Sequence, residues 1–384
     1  MTIVIVPTKR CNLGCAYCFE PESMRRTDPE CALDVEGIAR SLDEVWSGPW
    51  QGGMVGLHGG ECTLLDLPDL ENLLALTYEK TGRSGVQTHG YNLTDPILDL
   101  FEKYKTRVSV SCDGPPHLNV LRSPNPASAK ATAHYNEKLR QNLSRLCARK
   151  IPVGVISVLH RENASTPEKL HDLKVWLGEL AELGITRGRA NPMYADGPNR
   201  RFQLTEAELS RAWRDLFDCV VEKRLDWLPF REMVDNLLGL SLGPCWFGGC
   251  DVSDTILVSI QADGSRGNCD RTFARGVTAR KPGTETATRR DLLAATECNG
   301  CRYWKVCQGG CPMEAPEGDW RRKTRFCQAI LEIYSHIEKR LKDLMPHVRL
   351  VADGPGTGVV AARPGRKGPK QPPGPAAAGD PGAR

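Results

Sequence analysis

Three cysteines, Cys11, Cys15 and Cys18, stand as Cys-x3-Cys-x2-Cys in the run Lys9-Arg10-Cys11-Asn12-Leu13-Gly14-Cys15-Ala16-Tyr17-Cys18-Phe19. Three thiolates hold three irons of a [4Fe–4S] cube and leave the fourth iron open to a substrate or cofactor. The competing chemistry is a zinc knuckle. Zinc wants four ligands, commonly on paired Cys-x2-Cys arms, and no good fourth ligand follows within the next dozen residues. Soft thiolates at this spacing suit an iron–sulfur cluster better.

A second constellation lies further along. Eight cysteines run as Cys245-x4-Cys250, then Gly264-x4-Cys269, then Cys298-x2-Cys301-x5-Cys307-x3-Cys311, and last Cys327. Eight thiolates match two fully ligated [4Fe–4S] clusters and, by count alone, two Zn(Cys)4 sites. Asp270 directly follows Cys269; a carboxylate there can take a proton from a substrate or cap local backbone. In Gly59-Gly60-Glu61 two glycines let the backbone approach a ligand closely, and a carboxylate can pair with an ammonium. The other five cysteines, Cys31, Cys62, Cys112, Cys147 and Cys219, read as small buried hydrophobes.

These groups need a scaffold that gathers loops. Thr2–Pro7 is a β-branched run leading straight into the first cysteine loop, and helical patterning follows at Ala32–Trp46. Strand-like Met54–Leu57, Gly85–Thr88, Arg107–Cys112, Pro152–Leu159 and Thr186–Ala190 alternate with helical Leu67–Lys80, Pro96–Tyr104, Lys130–Arg149 and Thr166–Leu183. Such alternation argues for βα units around a parallel sheet, an α/β fold. In parallel barrels chemistry collects in the loops after the strands. Thr205 and Glu208 form a capping box ahead of Leu209, Trp213, Leu216, Phe217 and Val220, a helix expected to lead out of the barrel.

With Tyr17 in the aromatic place, the first loop resembles the Cys-x3-Cys-x-aromatic-Cys loop of the radical S-adenosylmethionine (radical SAM) superfamily. The resemblance implies a partial (β/α)6 TIM-like barrel and a [4Fe–4S] cluster on Cys11, Cys15 and Cys18. The open iron of that cluster chelates the amino and carboxylate groups of SAM. One electron then cleaves SAM to methionine and a 5′-deoxyadenosyl radical, which takes a hydrogen atom from the substrate. Gly59-Gly60-Glu61 falls where the family binds the SAM amino group. Ser111-Cys112-Asp113-Gly114-Pro115 resembles the family's Ser-x-Asp-Gly-Pro segment, and Gln87-Thr88-His89-Gly90 its Gln-Thr-Asn-Gly segment. Tyr17, Gly59, Gly60, Glu61, Ser111 and, from a helix, Arg140 are thereby expected at SAM. Asp113 is expected to turn the chain, and His89 to face SAM, substrate or a structural partner.

The downstream cysteines resemble the SPASM extension of radical SAM peptide and protein maturases. Carried over by position, Cys245, Cys250, Cys269 and Cys311 hold a first auxiliary [4Fe–4S] cluster. Cys298, Cys301, Cys307 and Cys327 hold a second. Anaerobic sulfatase-maturing enzymes have a Cys-Asp dipeptide at the place of Cys269-Asp270, with the Asp as proposed base, and other SPASM enzymes share it. Asp270 is therefore the candidate catalytic residue, with His89 next in line. The sequence departs from the family at Cys62, where a proline is usual, and at His89, where Asn is common.

The remaining features bound the reading. With 384 residues, 51 basic and 47 acidic side chains and a net charge of +4, the chain does not look like a nucleic-acid protein. It shows no signal peptide and no apolar stretch long enough to cross a bilayer. Its sixteen cysteines then read as reduced cytoplasmic thiols, eleven of them candidates for ligation. The expected organisation is a barrel over 1–200, a helical connection over 201–240, a SPASM domain over 241–346 and a Pro/Gly/Ala-rich flexible tail over 347–384. Since the first strand starts at once, no leader-peptide-binding domain is expected ahead of it. The expected function is a radical SAM/SPASM oxidoreductase acting on a side chain of a peptide or protein, fed electrons by a flavodoxin or ferredoxin. The rivals are a sugar or aminocyclitol dehydrogenase or epimerase of the same superfamily, and a non-catalytic metal-binding module.

Overall fold

Alternation in the first strand sets the layers. In β1 (Thr2–Val6), Ile3 and Ile5 are wholly buried in the hydrophobic core, while Val4 faces a central cavity. The chain is seen in a computed structural model whose described residues are 2–18, 33–47, 53–195, 197–240, 257–267, 269, 271 and 289–353. From β1 it alternates through α1 (Val35–Trp46), β2 (Met54–Leu57), α2 (Leu67–Thr81), β3 (Gly85–Thr88), α3 (Asp95–Lys103), β4 (Arg107–Ser111), α4 (Ala129–Ala148), β5 (Val153–Leu159), α5 (Pro167–Glu182) and β6 (Arg187–Pro192). The strands pair in parallel and in sequence order, with Ile5 beside Leu57, Val86 beside Val108, Val110 beside Val155 and Ser157 beside Ala190. This is the parallel α/β sheet that the alternation implies, in the partial barrel that the resemblance implies.

Local chemistry sets the element limits. α2 has Pro68 in its first turn, where a missing N–H costs nothing, and stops at Gly82 with φ +70°. α4 buries Thr132, Tyr135, Asn136, Leu139, Asn142, Leu143 and Leu146 along one face. The capping box forms as read: Thr205 N donates to Glu208 Oε2 at 2.7 Å and Glu208 N to Thr205 Oγ1 at 3.2 Å, opening α6 (Glu206–Glu222).

The two edges of the sheet depart from the expectation. β7 (Asp226–Leu228), followed by α7 (Phe230–Leu237), adds in parallel outside β6. On the other side β8 (Leu257–Gln261) lies parallel to β1, with Val6 opposite Gln261, and returns as antiparallel β9 (Arg266–Gly267). The strand order is β7-β6-β5-β4-β3-β2-β1-β8-β9. Residues 257–267, inside the span 241–346 expected as a SPASM domain, thus extend the barrel sheet. The physical reason is the free edge of β1, whose buried N–H and C=O groups need a partner strand. Gly264, at φ +78°, turns the hairpin, and a Cβ there would lie 2.7 Å from the backbone carbon of Gly37.

The chain closes with α8 (Arg289–Ala295), α9 (Trp304–Cys307) and α10 (Cys327–Leu344). Ile330, Ile333, Tyr334 and Ile337 of α10 share one hydrophobic core with the barrel strands. Gln328 N at the start of α10 donates to Glu206 Oε1 of α6 at 2.6 Å. No helix among the described residues is long and apolar enough to cross a membrane. Cys31, Cys245, Cys250, Asp270 and residues 354–384 of the expected tail lie outside the described residues, whereas its residues 347–353 are described, with Leu350 and Ala352 buried in the core.

Candidate functional site

A cavity of about 360 Å³ lies inside the barrel. Val4, Gln87, Ser111, Ile156, Asn191 and Ser259 each contribute from a different strand. The loop after β1 adds Cys11, Cys15 and Cys18, the loop after β2 adds Gly59 and Gly60, and the chain after β9 adds Cys269 and Arg271. Motifs hundreds of residues apart in sequence therefore share one wall.

The two front loops are locked together by backbone. Gly60 N donates to Thr8 O at 2.9 Å and Glu61 N to Arg10 O at 2.8 Å. A Cβ on Gly60 would meet the carbonyl oxygens of Lys9 and Arg10 at 2.3 Å, so no side chain fits there. On its other side the cysteine loop is tied by Gly14 N to Ser123 O and Ala16 N to Leu121 O. Cys15 and Cys18 stand close enough to Cys11, and Cys18 to Cys15, to disfavour the Cys11 and Cys15 thiolates. Burial pushes the Cys11 thiol up to about 12 and the Cys15 thiol up to about 11, with Arg122 pulling Cys15 back.

Asp113 does far more than turn the chain. Its carboxylate is wholly buried; Oδ1 accepts from Val158 N at 2.9 Å and Arg122 Nη2 at 3.3 Å, and Oδ2 from Tyr17 Oη at 2.5 Å. Arg122 Nη2 also donates to Tyr17 Oη, and His160 Nε2 lies 3.6 Å from Oδ2. Burial opposes ionisation of Asp113, yet Arg122 and the donors around it hold the carboxyl well below the usual range. The expected SAM contact Tyr17 is thus clamped through its hydroxyl while its ring lines the cavity. Arg122, which nothing in the local sequence marks, is the cavity's buried cation.

Glu61 takes a different part from the one its motif suggests. Oε1 accepts from Thr63 N at 3.1 Å, Thr63 Oγ1 at 2.7 Å and Thr88 Oγ1 at 2.7 Å, and Oε2 from His89 N at 2.7 Å. The carboxylate ties the loop after β2 to the loop after β3, and the backbone of Gly59 and Gly60 meets the cavity instead. His89 is engaged on both ring nitrogens. Nδ1 accepts from Tyr91 N at 3.1 Å, which leaves Nε2 to donate to Asn12 Oδ1 at 2.7 Å. Burial lowers its pKa, so it stands neutral as a strut behind the cysteine loop.

Arg140 is not brought to the cavity. The buried face of α4 leaves it on the solvent side, paired with Glu137 at 2.9 Å. Helical periodicity decides this, since a residue one step past Leu139 points away from the sheet. Cys62, Cys112 and Cys219 are buried, as small hydrophobes should be, and Cys147 is partly so.

Towards the C-terminus, Cys298, Cys301, Cys307 and Cys327 form a second thiol set. Other thiols of the set lie close enough to Cys298, Cys307 and Cys327 to disfavour the thiolates of these three. Burial pushes Cys298 up to about 11 and Cys307 up to about 12. Cys311 is buried as well, and Cys269 stands at the cavity wall. Among the described residues no group of three or more His, Cys, Asp or Glu side chains is arranged to hold a single metal ion. Two buried polar atoms on cavity residues, Arg122 Nε and Asn191 Oδ1, have no partner among the described residues, so a polar ligand with matching groups fits.

Comparison with known proteins supplies a context. Residues 5–173 match the model of the Radical SAM superfamily. The PqqA peptide cyclase of Ruegeria pomeroyi is 29% identical over 177 residues, 44% of this chain and 43% of that protein. The chain therefore aligns to less than half the length of that relative. The serine-type anaerobic sulfatase-maturating enzyme of Klebsiella aerogenes is 22% identical over 366 residues, 85% of this chain and 82% of that protein. The solved structure of native anSMEcpe with bound AdoMet and the Cp18Cys peptide superposes with a TM-score of 0.71 at 18% identity, covering 89% of this chain and 98% of that one. At that identity the likeness concerns the fold.

Proposed function

Starting from a radical SAM domain at residues 5–173, we propose that this protein is a cytoplasmic radical SAM/SPASM maturase that oxidises or crosslinks a side chain of a peptide or protein. The observation that carries the reading is one cavity walled by Cys11, Cys15, Cys18, Gly59, Gly60 and, from the far end of the chain, Cys269. The names of its relatives, a sulfatase-maturating enzyme and a peptide cyclase, support the substrate class.

Cys11, Cys15 and Cys18 would hold a [4Fe–4S] cluster, and Tyr17, Gly59, Gly60, Ser111 and Arg122 would enclose SAM. When bound, cluster and SAM supply a one-electron cleavage that yields a hydrogen-abstracting carbon radical. The residues around them orient and shield. Glu61 and His89 hold the two front loops in register, and the Asp113–Arg122–Tyr17 network fixes the cysteine loop against β4 and β5. Barrel residues Ile156, Val158 and Leu257 keep apolar walls on the cavity. Asp270, next to Cys269, would take the proton that the substrate loses. Cys245, Cys250, Cys269 and Cys311, and Cys298, Cys301, Cys307 and Cys327, would hold two auxiliary [4Fe–4S] clusters, which when bound would supply an electron acceptor beside the cavity. We assign residues 241–346 to this SPASM function, with a reduced flavodoxin or ferredoxin as donor.

The test is anaerobic reconstitution. Three cubanes imply about 12 irons per chain with matching sulfide, and dithionite with SAM should then release 5′-deoxyadenosine. Cys11→Ala/Cys15→Ala/Cys18→Ala should abolish that release while the downstream thiols keep their iron. Two equivalents of zinc with iron for one cluster would defeat the auxiliary assignment. Release of 5′-deoxyadenosine by the triple variant would defeat the whole reading.

A further inference from the structure

α8 opens on a buried guanidinium. Arg289 is 2% exposed. Its Nε donates to Trp320 O at 2.8 Å, Nη1 to Gln308 O at 3.4 Å and Gly310 O at 3.1 Å, and Nη2 to Gly309 O at 3.1 Å and Arg322 O at 2.9 Å. Three of these carbonyls belong to consecutive residues, Gln308, Gly309 and Gly310, at φ +51°, +83° and +67°. Three left-handed residues in a row are rare in an L-chain. Here they turn successive carbonyls onto one cation, the counterpart of the N–H nests that cradle anions. A Cβ on Gly309 would sit 2.4 Å from Leu293 Cδ1, and one on Gly310 2.6 Å from Thr324 Cγ2. The turn is thus packed as well as bonded.

Its place in the chain is informative. It begins directly after Cys307 and ends directly before Cys311, while the other clamped segment, Trp320 to Arg322, leads towards Cys327. We propose that Arg289 is the positioning residue of the C-terminal thiols: its fork holds the Gln308–Gly310 turn between Cys307 and Cys311, so that Cys307 faces Cys298, Cys301 and Cys327. A guanidinium suits this because its five donors lie in one rigid plane and reach two segments at once. The three donors of lysine radiate from one atom.

The inference rests on reading these thiols as cluster ligands, yet its first readout needs no iron. Metal-free full-length protein, wild type, Arg289→Met and Arg289→Lys, is pulse-labelled with iodoacetamide, and each cysteine is quantified by peptide mass spectrometry. Both variants should label Cys307 and Cys311 about tenfold faster or more, a factor equal to ~1.4 kcal/mol of local opening. The barrel thiols Cys62 and Cys112 should stay protected and serve as the folding control. If Arg289→Met also opens those, Arg289→Lys, which keeps the charge and most of the volume, carries the test by itself. Wild-type labelling at Cys307 and Cys311 in Arg289→Lys overturns the positioning role, since it would show that charge alone suffices. After anaerobic reconstitution the variants should lose about four irons or more relative to wild type. A wild type that takes up no iron beyond its first cluster would remove the cluster reading and leave the labelling result to decide the role of Arg289.

Discussion

Asp113→Asn tests the buried network behind the cysteine loop. The substitution keeps the shape and removes the charge. Asp113 is fully buried, and the Arg122 side chain is 10% exposed, so solvent screens little of their attraction. The carboxylate accepts from Val158 N and Arg122 Nη2 on one oxygen and from Tyr17 Oη on the other. An amide can present an acceptor to one side only. Its NH2 must then face either Tyr17 or the Val158–Arg122 pair, and Arg122 is left buried without its counter-charge. Removing one partner of a buried pair costs about 3–5 kcal/mol, or roughly two to four decades in the unfolding equilibrium. The assay is urea unfolding of the metal-free protein followed by tryptophan fluorescence. Adding Arg122→Met should recover much of the loss, because the stranded charge goes with it. Asp113 also dictates a pH dependence. Its folded pKa is depressed, so its contribution is complete above the ordinary carboxylate value near ~4 and is lost as pH falls towards the folded value. Wild type should therefore weaken steeply below about pH 4, and Asp113→Asn should lack that part of the acid slope. A loss under about 1 kcal/mol, the size of an exposed pair, would show that Asp113 and Arg122 do not form a buried ion pair.

Gly60→Ala sets a methyl against two backbone carbonyls at 2.3 Å; overpacking of this kind costs about 1–3 kcal/mol, and iron retention at Cys11, Cys15 and Cys18 should drop beside it. Equilibrium binding of SAM to reconstituted protein should separate two arginine and serine positions: Arg140→Ala should leave affinity unchanged, whereas Ser111→Ala should weaken it by roughly two- to tenfold, the worth of one hydrogen bond. Asp270→Ala should still cleave SAM and transfer substrate deuterium into 5′-deoxyadenosine, while product falls ~10²–10⁴-fold as for a lost general base; wild-type product yield would return Asp270 to a structural role.

What the sequence determined by itself was local. Cys-x3-Cys-x2-Cys needs no fold to be recognised, and the alternation of β-branched strands with capped helices carried the parallel sheet almost residue for residue, from Met54–Leu57 to Pro167–Glu182. Strand and helix periods, proline first turns and glycine stops act over a few residues, so they are written in adjacent letters. What only tertiary structure decided acts across long separations. Tyr17 meets Asp113 across 96 positions, Gln308–Gly310 wraps Arg289 from 19 to 21 positions away, and β8 returns to close β1 from beyond residue 256. Each answers a deficit created elsewhere: a buried charge without a partner, carbonyls turned inward, an unpaired strand edge. Glu61 and Arg140 show the same limit from the other side. Their types suit a SAM contact, but the oxygens of Glu61 are taken by Thr63, Thr88 and His89, and the helix phase sends Arg140 to solvent. Residue type is legible in a motif; the direction a side chain faces depends on which neighbours the fold brings to it.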